Sequence, residues 1–393
     1  MSNLKILLFS LENIDNVGEE LLRANTEFLL HSISPEYIIK QSQFKPEVFD
    51  KKSYRLLFKL GHYIKRVSHY LDGNFSYRVR NLSYIVKYSR YFSKQIKNCD
   101  KVITSVGMYK YSTQDFSYIY HLIAKKCQKY NKPLYICAPS IEDYNPKDWR
   151  SIQLVKTANI SSVKMITTRD GVSGIQTLKN SYKINNRFLV SSVADPALWI
   201  PECFELKKGQ SSASVPYIGI NIIRKGIFND YNKSFSDEGL LNIYVELIKE
   251  IEKKRWKWAV YSNGMPQDIA MIDELHSLLK FSDSHILNKT HNAKEFVELI
   301  SGFDAVFGAR LHSCITSVSL GVPVVGFIWD NKIKYFAETM KIRQFFFEPK
   351  DMTASNIIQA LEQAMKYKYD INNIAFYKNK TRESLRLFLE ESF

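Results

Sequence analysis

Two spacings alternate along this chain. Short unbroken apolar runs recur between stretches where apolar residues return every three or four positions. Unbroken runs fit strands buried on both faces, and the wider spacing fits helices with one buried face. Residues 5–9 (Lys-Ile-Leu-Leu-Phe) read as a first strand and 18–30 as the helix after it. Strands follow at 101–105, 133–137 and 163–167, with a helix around 116–130. The alternation restarts with a strand at 217–223 and a helix at 237–253. Strands at 256–261, 305–307 and 322–327 then alternate with helices at 293–300 and 311–320. This order predicts parallel, doubly wound sheets.

The pattern breaks at Lys207-Lys-Gly-Gln-Ser-Ser-Ala-Ser214, a polar run of small residues. It predicts a linker over 201–216 between domains at 1–200 and 217–393. A length of 393 residues suits two such domains. The expected fold class is therefore α/β, with two doubly wound Rossmann-like domains facing a cleft in the manner of GT-B enzymes. Ligands of such folds bind beyond the carboxyl ends of the strands.

Residues 51–101 depart from the alternation. They hold thirteen lysines and arginines against two acids, Asp72 and Asp100, with ten Tyr and Phe interleaved. Helical spacing fits 54–70 and 77–97. A basic-aromatic helical insertion lies on an anionic membrane, or it turns its aromatics to a core and its lysines to water. Both readings stay open here.

Charge and cysteine content narrow the function classes. The net charge of +15 suits a polyanionic partner, or reflects a chain rich in Lys, Asn, Ile and Tyr. Recognised nucleic-acid motifs are absent, so nucleic acid is not an expected partner. The five cysteines form no CxxC or Cys/His cluster, which points to no metal and to a reducing compartment. The first apolar run is short and followed by acids, unlike a signal peptide. A cytoplasmic protein is expected, attached peripherally at the inner face of the membrane if 51–101 binds lipid.

The densest chemistry lies at 308–332. The strand at 305–307 ends in Gly308-Ala309, and Arg310 and His312 open the next helix. A helix N-terminus binds anions, and a guanidinium fork grips a carboxylate or phosphate in bidentate fashion. His312 is suited to acid or base work near neutral pH. The bland alternative is an Arg–Asp pair beside a buried, hydrogen-bonded histidine. Lys332 and Arg224 are weaker anion-binding candidates. A surface lysine and a solvated loop arginine are equally good readings of them. Asp15, Asn16 and Gly18 follow the first strand and are candidates to hold an acceptor. Capping of the following helix is the stronger reading of Asn16.

Gly308-Ala-Arg-Leu-His312, Ser319-Leu-Gly-Val-Pro-Val-Val-Gly-Phe-Ile-Trp-Asp-Asn-Lys332 and Phe336 together resemble the C-terminal signature of the polysaccharide pyruvyl transferase family. Asn16-Val-Gly-Glu-Glu20, Thr168-Arg-Asp170 and Asp195-Pro-Ala197 resemble earlier segments of that family, in the same order. Glu19 stands where the family usually has Asp. Ser105-Val-Gly-Met108 stands where it often has a glycine-rich turn.

The resemblance implies transfer of the enolpyruvyl part of phosphoenolpyruvate onto two hydroxyls of one sugar, giving a cyclic ketal and phosphate. It implies His312 as proton donor, and Arg310 with His312, Lys332 and Arg224 around the donor. Phosphoenolpyruvate is then a co-substrate, and no cofactor is needed. The acceptor is a sugar of a bacterial surface polysaccharide or its lipid-linked precursor. Two rivals remain: a GT-B glycosyltransferase using a nucleotide sugar, with Asp330 or Glu338 on the ribose, and a non-catalytic membrane-surface protein.

Overall fold

The computed structural model describes residues 4–11, 15–46, 52–112, 115–184, 189–206, 214–231, 233–287 and 292–392. Most of the expected linker, 207–213, lies outside the described residues. The chain divides into two compact units. The first comprises Met1–Glu12, Thr26–Ala194 and Asn379–Phe393; the second comprises Asn13–Asn25 and Asp195–Lys378.

In order, the first elements are β1 (Lys5–Ser10), α1 (Val17–Ile33, in the second unit as far as Asn25 and in the first from Thr26), β2 (Ile38–Gln43), α2 (Lys52–Ser68) and α3 (Gly73–Lys97). Then come β3 (Lys101–Ser105), β4 (Met108–Tyr109), α4 (Phe116–Lys129), β5 (Leu134–Ile136) and β6 (Ser140–Ile141). The first unit continues with α5 (Trp149–Ala158), β7 (Val163–Thr168), α6 (Gly171–Gln176) and β8 (Leu189–Ser192). Six strands form one sheet in the order β2-β1-β3-β5-β7-β8, every pair parallel. Strand β3 is buried along its whole length, as a strand covered on both faces must be. The aromatic residues of α3 join this core. Tyr84, Tyr88 and Phe92 are buried, with Phe92 edge-on to Phe9 at 5.4 Å.

In the second unit, α7 (Ile200–Cys203), β9 (Tyr217–Asn221), α8 (Ile227–Asp230), α9 (Asp237–Lys253) and β10 (Lys257–Tyr261) come first. They are followed by α10 (Pro266–Leu279), α11 (Ala293–Ser301), β11 (Ala305–Gly308), α12 (Leu311–Ser319) and β12 (Val324–Phe327). The last elements are α13 (Asn331–Thr339), β13 (Phe346–Phe347), α14 (Ala354–Lys366) and α15 (Ile371–Glu390). The sheet runs β10-β9-β11-β12-β13, again with every pair parallel. Its order reverses between β9 and β11, where a doubly wound sheet opens a crevice at the strands' carboxyl ends.

The units depart from a single cut at 201–216. The turn Pro196–Trp199 follows the boundary and packs on α12, so it belongs to the second unit. The end of α15 returns to the first unit. There the Lys101 ammonium donates to the carbonyls of Phe388, Leu389 and Glu391 at 2.7–2.8 Å. These are orphan acceptors at a helix C-terminus, and a buried lysine satisfies three of them. Residues 15–25 belong to the second unit, where the Val17 N–H donates to the Asn263 carbonyl at 3.0 Å.

Candidate active site

Strand β11 delivers Arg310, and the packing of α12 onto it fixes where Arg310 goes. A Cβ at Gly308 would lie 2.7 Å from Cys314 Sγ, so glycine is what lets α12 sit this close. Arg310 is the N-cap residue, extended at φ −99°, ψ 140°, and no side chain caps the helix. An arginine side chain has no acceptor with which to cap the first N–H groups of α12.

Arg310 does form an Arg–Asp pair. Its Nε donates to Asp268 Oδ2 at 2.9 Å and its Nη2 to Asp268 Oδ1 at 2.5 Å. Asp268 is fully buried in the first turn of α10, and its Oδ1 also accepts the Arg224 backbone N–H at 2.9 Å. The Arg310 backbone N–H donates to Asn221 Oδ1 at 2.8 Å. The fork is thereby aimed by residues from three junctions: the end of β9, the start of α10 and the end of β11. Nη1 is not used by Asp268.

His312 is buried at the second position of α12, with 8% of its surface exposed. The bland reading gave it a hydrogen bond, and here the structure differs: Nε2 is buried and has no hydrogen-bond partner among the described residues. Asp195 Oδ2 stands 3.6 Å away. Against the other edge of the ring lies Gly18, where a Cβ would sit 2.1 Å from Nδ1. Gly18 has no positive φ, so close approach and not backbone conformation makes this residue a glycine.

The remaining candidates divide. Lys332 lies beside this junction, 3.4 Å from Asp330 Oδ2 and 4.8 Å over the Trp329 ring. Trp329 donates its indole N–H to the Ala309 carbonyl at 2.6 Å and stands 5.7 Å from the Arg310 guanidinium. The Arg224 side chain is tied to Asp230 and to the Lys225 carbonyl, so only its backbone meets Asp268. Asn16 accepts the Gly18 N–H at 3.1 Å, the capping role expected of it. Asp15 is exposed, its carbonyl 3.4 Å from where a Cβ on Gly264 would be. Asp15, Asn16 and Gly18 thus belong to the second unit and not to the N-terminal side expected for an acceptor.

Thr168-Arg-Asp170 is a staple within the first unit. Arg169 donates to the Gly107 carbonyl at 2.8 Å, while Asp170 accepts from Ser140 and Ile141 at 2.9 and 2.7 Å. Burial pushes the Asp170 carboxyl up to about 6.

Asp195 and Asp268 are the residues sequence reasoning missed. Asp268 had a signal: strand β10, a Ser-Asn-Gly turn, then Pro266 and an acid in the first turn of a helix. That is a third strand–helix junction of the same kind. Asp195 lay inside a quoted motif, but nothing local tied it to a histidine more than a hundred positions later.

A family model described as polysaccharide pyruvyl transferase matches residues 16–331. No curated protein matches the chain in sequence. Among solved structures, a UDP-GlcNAc 2-epimerase from Neisseria meningitidis bound to UDP-GlcNAc is similar, with a TM-score of 0.59 at 13% identity, covering 99% of this chain and 100% of that one. A putative UDP-N-acetylglucosamine 2-epimerase from Listeria monocytogenes has a TM-score of 0.58 at 11% identity, covering 100% and 98%. A trehalose 6-phosphate synthase from Burkholderia multivorans has 0.52 at 10%, covering 99% and 93%. At these identities the likeness shows the fold, which is GT-B.

Proposed function

Because the chain belongs to the polysaccharide pyruvyl transferase family and is a transferase, we propose that its donor is phosphoenolpyruvate and its product a cyclic ketal on one sugar. The observation that carries this reading is a guanidinium and an imidazole set two residues apart at a helix N-terminus that Arg310 does not cap, each facing a buried carboxylate.

In this reading protonated His312 gives its proton to the methylene carbon, an N–H bond breaking as a C–H bond forms. The carbon bearing phosphate becomes oxocarbenium-like, and a sugar hydroxyl adds there. That hydroxyl's proton returns to His312. The bond to phosphate breaks, the second hydroxyl closes the ring, and its proton leaves with the phosphate. Arg310 Nη1 and the first N–H groups of α12 hold the donor's anionic oxygens. Arg310 and Lys332 each have a carboxylate partner. Donor recognition therefore rests on aimed N–H groups more than on excess positive charge.

The nucleotide-sugar reading needs a carboxylate for the ribose. Asp330 caps α13 and faces Lys332, while Glu338 lies on the exposed face of α13 beside Lys334. Incubation with phosphoenolpyruvate and a panel of glycans, followed by phosphate, tests the proposal. Release that needs a glycan supports it. No release with any acceptor, while a nucleotide sugar is consumed, overturns it.

The finer partner is an anionic membrane bearing a lipid-linked acceptor, with the enzyme on the cytoplasmic face. Among the described residues, no helix is long and apolar enough to cross a membrane. Helix α2 instead exposes Leu56, Leu60, Tyr63 and Val67, a single apolar stripe at helical spacing, and Tyr70 in the turn after it is exposed too. Exposed Arg55, Lys59 and Arg66 run alongside. At the start of α3, Phe75 is also exposed. An apolar stripe flanked by cations suits the interface of an anionic bilayer.

A further inference from the structure

The His312 imidazole lies between Gly18 and Asp195, and only Gly18 is explained by packing. Asp195 is buried, and one of its oxygens is already fixed. Oδ1 accepts the Ala197 N–H at 2.8 Å and caps the turn Pro196–Trp199. Pro196 stiffens the start of that turn. The same turn packs against α12. A carboxylate anchored this way has little freedom, and its Oδ2 stands 3.6 Å from the buried, hydrogen-bond-free Nε2 of His312.

We propose that Asp195 is the positioning residue for His312, holding the imidazole in the orientation from which it delivers a proton. This rests on the pyruvyl-transfer reading. Both groups are sheltered from solvent, so salt screens the attraction weakly. The separation exceeds a hydrogen bond, so Asp195 acts here through charge, and a ring shift of under an ångström would join the two.

Several charged groups of the neighbouring elements have partners of their own, and Glu19, beside Gly18 on α1, is buried. Arg310, on the same helix start, is spent on Asp268. Lys332, from α13, lies against Asp330. Glu20, from α1, accepts the Ala293 N–H at the start of α11. Glu202, from α7, pairs with Lys378. Asp195 is the carboxylate paired with the ring, and it makes and breaks no bond itself.

Asp195→Asn tests this, since asparagine caps as well as aspartate and removes only the charge. The expected result is an unchanged melting temperature, a kcat lower by about 10- to 100-fold with KM little altered, and a displaced His312 limb in the pH–rate profile. Asp195→Glu should recover part of the loss. A second measurement needs no substrate. In protein labelled at histidine, the His312 resonance, assigned by its loss in His312→Gln, should move in Asp195→Asn. A resonance and pH profile that do not move overturn the proposal, and so does an Asp195→Asn kcat within twofold of wild type. A resonance that moves in a protein that never consumes phosphoenolpyruvate leaves the Asp195–His312 coupling standing and removes the pyruvyl-transfer reading alone.

Discussion

A methyl group on Gly18 would sit 2.1 Å from His312 Nδ1, closer than any two such atoms can approach. Gly18 lies inside α1 without a positive φ, so alanine suits its backbone and favours the helix. The imidazole must therefore move. Gly18→Ala should fold normally and lose about 100-fold in turnover, the scale of a 1 Å misplacement of a catalytic group. Circular dichroism with steady-state kinetics checks both halves. A fully active Gly18→Ala enzyme would remove His312 from the chemistry.

Arg310 and Asp268 behave as one unit, and substitutions at the two should fail differently. Arg310→Lys keeps a charge but loses the fork, so turnover falls steeply while the fold persists. Asp268→Ala leaves the guanidinium without its buried partner and should cost about 3–5 kcal/mol of stability. Denaturant melts beside kinetics separate the effects. Wild-type activity in Arg310→Lys would end its assignment to the donor.

Lys87 offers a pH test inside the first unit. It is buried between α2 and α3, 5.0 Å over the Phe58 ring and 5.5 Å over that of Tyr84. Burial lowers its ammonium to about 8, Lys65 and Lys45 push the same way, and Asp115 opposes them. The folded value lies below the unfolded one, so the unfolded chain binds this proton more tightly. Lys87 therefore costs stability at neutral pH, and the cost fades as pH rises from about 8 through the unfolded value near 10.5. Lys87→Met should raise the melting temperature at pH 7 by several degrees. Its advantage should shrink by pH 10. An advantage independent of pH would mean that packing and not charge is responsible.

The α2 stripe gives a lipid test. Vesicles of anionic lipid should sediment the protein and neutral vesicles should not, with binding weakened by salt. Leu60→Asp with Tyr63→Asp, both exposed, should abolish sedimentation and leave activity on a soluble acceptor intact. Equal binding to both vesicles, or to neither, would return α2 to an ordinary helical insertion.

The sequence made some of this legible and hid the rest for physical reasons. Strands β1, β3, β9 and β11 announce themselves because burial on both faces demands unbroken apolar runs. Strand β2 (Ile-Ile-Lys-Gln-Ser-Gln) does not, since an edge position tolerates polar residues. The Arg310–His312 junction was readable from a strand ending in Gly-Ala before a helix. Its two carboxylates were not. Asp268 and Asp195 reach the site through the stacking order of β9, β10 and β11 and through one short turn, and neither leaves a local periodicity. The basic-aromatic segment mixed two roles: Tyr84, Tyr88 and Phe92 of α3 face the core, while Tyr63 and Tyr70 are exposed. Composition alone could not divide them.

The donor is the claim on which the rest depends, and ligand-dependent melting tests it most directly. A ligand that binds only the folded chain raises the melting temperature in proportion to its occupancy. Phosphoenolpyruvate at millimolar concentration should raise it in the wild type and not in Arg310→Lys, while a panel of nucleotide sugars leaves it unchanged. A rise with a nucleotide sugar and none with phosphoenolpyruvate would contradict pyruvyl transfer and put a glycosyltransferase in its place.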